Sequence, residues 1–204
     1  MIHPPAGIVL AGGLARRMGG GDKALLVLSG RTMLDRVIDR LGPQVGRMAL
    51  NANGDLQRFA EYGLPVLRDT VPDYPGPLAG VLAGLDWAAG RGLSHVVTAA
   101  ADTPFFPNDL VERLLHAARR ADLPIALAAT RLDGRIVRQP TFGLWPVSLR
   151  RDLREALEGG LRKVVSWTDR HGAASAIFPE EAFFNINTPE DLLRAQTMLR
   201  LGAQ

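Results

Sequence analysis

Short apolar runs alternate along the chain with stretches in which apolar residues recur every three or four positions. The runs have the length of buried strands, and the recurring pattern places apolar side chains on one face of a helix. The series begins with a predicted strand at 6–11 and a predicted helix at 32–41. Further strands are predicted at 47–52, 64–67, 95–101, 125–130 and 141–145, with extended segments at 174–178 and 183–185. Further helices are predicted at 55–62, 78–89, 108–120, 149–157, 163–169 and 192–201, with Asn108 capping the third of these six and Thr188, Pro189 and Asp191 forming the start of the last.

This alternation predicts βαβ units. The expected fold is α/β: a Rossmann-like three-layer sandwich with a mainly parallel sheet and helices on both faces. No linker or repeat divides the 204 residues, so a single domain over 1–204 is expected.

Polar residues and glycines follow the predicted strands repeatedly. Because ligands of open α/β sheets bind outside the carboxyl ends of the strands, these positions are expected to converge on one crevice. The residues concerned are Gly12, Gly13, Asn51, Asn53, Asp69 and Asp102.

The first of these strand ends carries a glycine-rich loop, residues 10–23, that closes on Lys23. Glycines let backbone N–H groups approach phosphate oxygens. Only two of the 24 basic residues are lysines, which indicates that Lys23 is used here as a compact positive charge that contacts a phosphate. The spacing fits neither a Walker A loop nor the dinucleotide fingerprint. A flexible surface loop is the alternative, but the preceding strand and Lys23 favour a triphosphate site, to which Arg17 would add positive charge.

Asp102 ends a buried run and suits Mg²⁺, which takes one or two carboxylates and completes its octahedron with phosphates and waters. Asn51 and Asp69 could recognise a base or ribose. For all three, turn formation remains an alternative. The glycine-bearing turn at 74–85, which includes Gly80, either offers a helix N-terminus to an anion or allows close helix–sheet packing.

Two asparagines near the C-terminus, Asn185 and Asn187, are not explained by the helix cap that follows them and could line the site. Arg138, Arg162 and Lys163 are basic residues near predicted loops and candidates for contacting a phosphate group, but solvated surface charge is the favoured explanation for them.

Composition excludes several classes of protein. With no cysteine, disulfides and thiolate metal sites are absent, and the four histidines lack metal spacing. The net charge of +3 is spread along the chain, so nucleic-acid binding is not expected. No apolar run approaches membrane-spanning length and no secretory signal is recognised, so a cytoplasmic protein that does not bind membranes is expected.

The motifs together resemble the molybdenum cofactor guanylyltransferase family of nucleotidyltransferases, whose fold is that of the nucleotide-diphospho-sugar transferases. The resemblance rests on the loop at 10–23, Asn51-Ala-Asn53, the Asp69 segment, the turn at 74–80, Asp102-Thr-Pro-Phe and the segment 185–191, in the family's order. It implies an enzyme that transfers GMP from Mg·GTP to the terminal phosphate of molybdopterin cofactor. Transient contact with molybdoenzymes or their chaperones would then deliver the product.

The resemblance also implies residue roles. Catalysis would use Lys23, Asp102 and Arg17, with Asp102 binding Mg²⁺, and the acceptor would meet Asn185, Asn187 and Arg138. GTP would be bound by Leu10, Ala11, Gly12, Gly13, Lys23, Asn51, Asp69, Gly80 and Asp102.

Two features leave alternatives open. Gln139-Pro-Thr stands where the family often has His-Pro-Thr, which puts acceptor binding in question. Gly13 favours GTP over CTP as the substrate, but this distinction rests on a single residue. A cytidylyltransferase, a sugar-phosphate nucleotidyltransferase and a non-catalytic nucleotide-binding adaptor for molybdoenzyme maturation therefore remain as rivals.

Overall fold

Within the described residues, seven strands form one twisted sheet flanked by helices. The computed structural model describes residues 4–12, 21–71 and 76–202. The strands, two of which form a separate hairpin, are β1 (Ala6–Leu10), β2 (Val27–Leu28), β3 (Arg31–Thr32), β4 (Arg47–Asn51), β5 (Val66–Leu67), β6 (His95–Ala100), β7 (Ile125–Leu132), β8 (Arg135–Pro146) and β9 (Ala173–Ile177). The helices are α1 (Met33–Leu41), α2 (Pro77–Ala89), α3 (Leu110–Ala121), α4 (Arg150–Glu158), α5 (Val164–His171) and α6 (Pro189–Arg200).

The order of strands in the large sheet is β5-β4-β1-β6-β8-β7-β9, and β2 pairs only with β3. All neighbouring pairs in the large sheet are parallel except the two that involve β8. The chain leaves β1 toward β4 on one side and later returns to β6 on the other. The carboxyl ends of β1 and β6 are therefore a topological switch point, the place where such sheets bind ligands.

Both faces of the sheet are buried, which explains why its strands read as continuous apolar runs. On β1, Val9 packs into the apolar cluster that contains residues of α1 and α3. Its neighbour Ile8 packs into the cluster on the other face, with residues of α2, α4 and α5. The predicted three-layer sandwich with a mainly parallel sheet is confirmed.

The segment Ala128–Gln139 departs from the prediction. β8 begins at Arg135, before the predicted start at Thr141, and pairs with β7 as far as Leu132. Its first half mixes Arg135, Arg138 and Gln139 with the exposed apolar residues Ile136 and Val137, so it gave no continuous apolar run. The turn between the two strands uses Asp133 and Gly134, both with positive φ, the usual composition of a tight hairpin turn.

Two further predictions were wrong at element boundaries. The cap of α3 is Asp109, and the Asn108 side chain instead accepts a hydrogen bond of 3.1 Å from Arg40. Phe183, the first residue of the predicted extended segment at 183–185, ends a 3₁₀ turn that begins at Glu180, and Phe184 after it is extended. The short helix predicted at 55–62 is confirmed as a 3₁₀ helix over Leu56–Tyr62. The capping box of α6 between Thr188 and Asp191 is confirmed, with Pro189 in the first turn. Among the described residues, no helix combines the length and the apolar character that crossing a membrane requires.

Candidate active site

A cavity of about 400 Å³ opens at the switch point, at the carboxyl ends of β1, β4 and β6. Chain-distant loops meet there because parallel strands end at the same edge of the sheet. The residues that line it are Leu10, Ala11, Gly12, Lys23, Ala24, Asn51, Asn53, Asp69, Gly76, Pro77, Ala100, Ala101, Asp102, Thr141 and Asn185.

Lys23 occupies one end of the cavity, and its side chain is only 9% exposed. The ammonium donates to Asp102 Oδ2 at 2.5 Å, to Asn185 Oδ1 at 3.2 Å and to Asn187 Oδ1. An ammonium has three donors, so this set of three acceptors satisfies it fully. The result is a nearly buried positive charge held in one position.

The segment that carries the two asparagines is fixed by backbone hydrogen bonds. Ile186 N–H donates to the carbonyl oxygen of Asp102 at 2.9 Å. The Asp191 carboxylate accepts from the N–H groups of Asn187, at 2.9 Å, and Thr188, at 3.0 Å. These hydrogen bonds, the one from Asn187 above all, lower the pKa of Asp191 below its usual value.

Asp69 occupies the other end of the cavity, between two asparagine side chains. Asn51 donates to its Oδ1 at 2.9 Å and Asn53 donates to its Oδ2 at 2.8 Å. The Asp69 N–H returns a hydrogen bond of 3.0 Å to Asn53 Oδ1. The carboxylate is therefore fixed in orientation, with acceptor lone pairs left over for a ligand.

Gly80, on the first turns of α2, is buried behind Asn51 and does not line the cavity. A Cβ at this position would lie 2.2 Å from Asn51 Oδ1 and 2.7 Å from Leu10 Cδ2. The close-packing alternative for this turn is thus the one that the geometry supports. Gly76 and Pro77, at the start of α2, line the cavity instead.

The structure brings most of the predicted site residues together. Eight of them line the same cavity: Leu10, Ala11, Gly12, Lys23, Asn51, Asp69, Asp102 and Asn185. Asn187 joins this group through Lys23. Gly13 and Arg17 lie outside the described residues, and the roles predicted for them stay predictions.

Arg138 is not brought to the site. Its guanidinium donates to Asp169 at 2.6 Å, to Ser175 Oγ at 3.3 Å and to the Ala173 carbonyl at 3.1 Å, so it ties α5 to β9. Arg138 thus packs α5 against β9 and does not line the cavity, and its predicted contact with the acceptor stays a prediction. Arg162 and Lys163 lie beside α5, on the outer surface of the sandwich, and line a different depression.

Asp102 is the carboxylate that lies beside Lys23 in the cavity, and it is 23% exposed. Its second oxygen, Oδ1, accepts from the Thr103 hydroxyl at 3.1 Å. No group of three His, Cys, Asp or Glu side chains able to hold a metal occurs in the described part of the chain. The cavity therefore offers two carboxylates, Asp69 and Asp102, one ammonium and the side-chain amides of three asparagines around a space of about 400 Å³.

Comparison with known families decides the class of protein. The family model of the MobA-like NTP transferase domain matches residues 7–173, which include both ends of the cavity. The chain belongs to the MobA-like NTP transferases. The predicted family resemblance is thereby confirmed, and the chain is a nucleotidyltransferase.

Relatives of this MobA-like NTP transferase cover nearly its whole length. One from Cereibacter sphaeroides, named molybdenum cofactor guanylyltransferase, is 52% identical over 198 residues, which is 97% of this chain and 98% of the relative. One of the same name from a Bradyrhizobium species is 51% identical over 198 residues, 94% of this chain and 92% of the relative.

Solved structures place the fold among the nucleotide-diphospho-sugar transferases, as predicted. The molybdopterin-guanine dinucleotide biosynthesis protein A of Archaeoglobus fulgidus has a TM-score of 0.74 at 24% identity and covers 96% of this chain and 99% of its own. The 4-diphosphocytidyl-2C-methyl-D-erythritol synthase of Anaerococcus prevotii has a TM-score of 0.75 at 14% identity, with 98% and 100% covered. At these identities the likeness concerns the fold alone.

Seven lining residues of this MobA-like NTP transferase site had been assigned no binding role from the sequence: Ala24, Asn53, Gly76, Pro77, Ala100, Ala101 and Thr141. Asn53 had been placed at the crevice by its position after a strand, and the structure adds that its side chain orients Asp69. Thr141 is one of three residues, 140–142, that the register between β7 and β8 skips, an irregularity that the sequence did not reveal.

Proposed function

We propose that the chain is a molybdenum cofactor guanylyltransferase. It transfers GMP from GTP to the terminal phosphate of molybdopterin cofactor, giving the guanine dinucleotide form of the cofactor and pyrophosphate. The observation that carries the proposal is the Lys23–Asp102 pair in a nucleotide-sized cavity, in a chain 52% identical over nearly its full length to a relative of that name.

The reaction needs positioning more than it needs a protein nucleophile. An oxygen of the acceptor phosphate attacks the α-phosphorus of GTP, and the bond from that phosphorus to the oxygen bridging to the β-phosphate breaks. Pyrophosphate leaves with the electron pair of that bond. Because the acceptor phosphate is already ionised near neutral pH, the protein has to align two anions and stabilise the charge of the leaving group.

Lys23 supplies that charge in this proposal. Its ammonium is nearly buried and held by three acceptors, so its position is set before the substrate arrives. A fixed charge in a site that excludes water acts more strongly on a developing negative charge than a mobile charge in solvent. Arg17 is assigned a supporting role on the same phosphates.

Mg²⁺ is the cofactor that the donor set fits. Asp102, the cavity carboxylate beside Lys23, provides what this ion usually takes from a protein, and triphosphate oxygens and waters would complete its octahedron. When bound there, Mg²⁺ would neutralise phosphate charge and polarise the phosphoryl group. Asp102 would hold the ion while Lys23 keeps its carboxylate oriented.

The guanosine moiety is assigned to the end with Asp69. A guanine presents a ring N–H and an amino group, which match the free lone pairs of a carboxylate whose two oxygens are already fixed by Asn51 and Asn53. The backbone of Leu10, Ala11 and Gly12, with Gly13, would then lie along the nucleotide between the two ends.

The acceptor is assigned to the side of Asn185, which lines the cavity next to Asp102. The product would pass to molybdoenzymes or their chaperones by transient contact, with no role for nucleic acid or membranes. Since GTP is an intracellular nucleotide, the cytoplasm is the compartment that this reaction requires.

Calorimetry with GTP, CTP, ATP and UTP, each with and without Mg²⁺, tests the proposal first. We expect preferential binding of GTP that tightens with Mg²⁺, followed by pyrophosphate release when molybdopterin cofactor is added. Preference for CTP would assign the chain to the cytidylyl branch. Binding of GTP without any turnover would leave the non-catalytic adaptor, and binding of none would exclude the assignment of the cavity.

A further inference from the structure

Arg58 connects the two ends of the cavity without lining it. Its Nε forms an ion pair with a carboxylate oxygen of Asp22, the residue that directly precedes Lys23. The Asp22 carbonyl also accepts from Leu25 N–H at 3.1 Å and so closes the 3₁₀ turn that begins at Lys23. Arg58 thus holds the residue from which the Lys23 turn starts.

The same guanidinium holds the loop at the other end of the cavity. Nη2 of Arg58 donates to the Asn53 carbonyl at 2.7 Å, and Nη1 donates to the Asp55 carbonyl. Asn53 is the residue whose side chain orients Asp69. One side chain therefore joins the turn of the phosphate-binding lysine to the loop that fixes the nucleoside-binding carboxylate.

The surroundings of Arg58 favour a fixed guanidinium. The side chains of Arg58 and Asp22 are 23% and 15% exposed, and the Arg58 guanidinium lies 4.6 Å from the ring centroid of the buried Phe59. The two Nη atoms of Arg58 hydrogen-bond two carbonyls, while Nε contacts the Asp22 carboxylate as an ion pair without hydrogen-bond geometry. An ammonium is a point charge without such a planar fork.

We propose that Arg58 is a positioning residue for nucleotide binding, which sets the distance between Lys23 and Asp69 through Asp22 and Asn53. This rests on the proposed function only in assigning the cavity to a nucleoside triphosphate. The triphosphate must contact Lys23 while the base contacts Asp69. Loss of Arg58 therefore removes the side chain that fixes these two residues relative to each other.

The test compares Arg58→Ala, Arg58→Lys and the double variant Arg58→Ala/Asp22→Asn with the wild type. The matched control is Arg68→Ala, since Arg68 is an exposed arginine that donates to the same loop at the Gly54 carbonyl, at 3.3 Å, and is not paired with Asp22. Each variant is checked by thermal unfolding monitored by circular dichroism. Binding of GTP and Mg²⁺ is measured by calorimetry, and kcat and KM are measured with molybdopterin cofactor.

We expect Arg58→Ala to raise the Kd for GTP about tenfold and to lower kcat/KM roughly 100-fold at temperatures where the variant is folded, because misplacing reacting groups by about 1 Å costs on that order. Arg58→Lys should recover only part of this loss, and Arg68→Ala should bind GTP as the wild type does. A merely structural role would lower the midpoint of thermal unfolding and leave the Kd of the folded protein unchanged, which would overturn the proposal.

The double variant separates positioning from charge. If Arg58 only neutralised Asp22, removing both charges would restore the wild-type Kd, and the proposal would be overturned. If Arg58 positions the two loops, the double variant stays as weak as Arg58→Ala.

The binding measurements need no acceptor, so they decide the role of Arg58 even if the wild type fails to use molybdopterin cofactor. If the wild type prefers another nucleoside triphosphate, that nucleotide replaces GTP in the comparison and only the proposed function fails. A wild type that binds none of the four overturns both.

Discussion

The backbone N–H of Ile186 donates a hydrogen bond of 2.9 Å to the carbonyl oxygen of Asp102. This contact joins the segment that carries Asn185 and Asn187 to the residue proposed as the Mg²⁺ ligand, and both asparagine side chains accept hydrogen bonds from the Lys23 ammonium. The segment before α6 is therefore part of the site, although the rest of the cavity comes from the first half of the chain and from Thr141.

Lys23→Ala and Asp102→Ala should each lower turnover by about 10²–10³-fold or more, since each removes a fixed charge from the reacting phosphates. Both variants should remain folded at 25 °C, because the residues lie at the edge of the core. Steady-state pyrophosphate release, with circular dichroism as the check on folding, measures the effect. Arg31→Ala breaks an exposed ion pair with Asp39 and should leave turnover unchanged. Near-normal turnover in either cavity variant would remove that residue from the mechanism.

Asn187→Ala should raise the KM for GTP about tenfold with a smaller effect on the KM for the acceptor. Asn187 does not line the cavity, but its side chain accepts a hydrogen bond from the Lys23 ammonium. A hydrogen bond to a charged group contributes about 1.5–3 kcal/mol. Asn108→Ala removes a hydrogen bond between an asparagine and an arginine, neither of which lines the cavity, and serves as control. An unchanged KM for GTP with a raised KM for molybdopterin cofactor would instead assign Asn187 to acceptor binding.

Gly80→Ala should weaken GTP binding as well as stability. The added Cβ would lie 2.2 Å from Asn51 Oδ1, so Asn51 must shift, and Asp69 loses an orienting hydrogen bond. Alanine gains about 1 kcal/mol in helix propensity, but overpacking of this kind costs about 1–3 kcal/mol, so the net effect on stability is a loss.

Gly84→Ala is the matched control for Gly80→Ala. Its Cβ would lie 2.6 Å from Ile8 Cγ1, one turn further along α2 and away from the cavity lining. We expect both variants to lose stability in urea unfolding, but only Gly80→Ala to raise the Kd for GTP. Equal Kd values for the two would show that Gly80 affects packing alone.

The parts of the fold that follow from local patterns could be predicted. The strand from Ala6 to Leu10 and the helix α1 follow from apolar periodicity, and the Thr188–Asp191 capping box follows from residue types at fixed spacing. The convergence of Asn51, Asp69 and Asp102 could also be predicted, since parallel strands end at one edge.

What could not be predicted depends on tertiary contacts. The first half of β8 carries no continuous apolar run, and its pairing with β7 makes it a strand. The ion pair between Arg138 and Asp169 could not be predicted, because a basic residue near a loop gives no sign of its partner. For the same reason Asn185 and Asn187 could be suspected as site residues, but not recognised as acceptors for Lys23.

Asp191→Asn should make the stability of the protein less sensitive to acid. The hydrogen bonds from Asn187 and Thr188 lower the pKa of Asp191 in the folded state below its usual value of 3.8. A carboxyl group with a lowered folded-state pKa stabilises the fold above its unfolded pKa, and this contribution is lost as the pH falls through the folded value. We therefore expect Asp191→Asn to lower the free energy of unfolding by about 1 kcal/mol at pH 7, as loss of a helix cap does, and by less at pH 3.

Urea unfolding at both pH values measures the difference, with Glu190→Gln as a control that removes the same charge from the same turn. A difference between wild type and Asp191→Asn that is as large at pH 3 as at pH 7 would show that the carboxylate charge does not hold this segment.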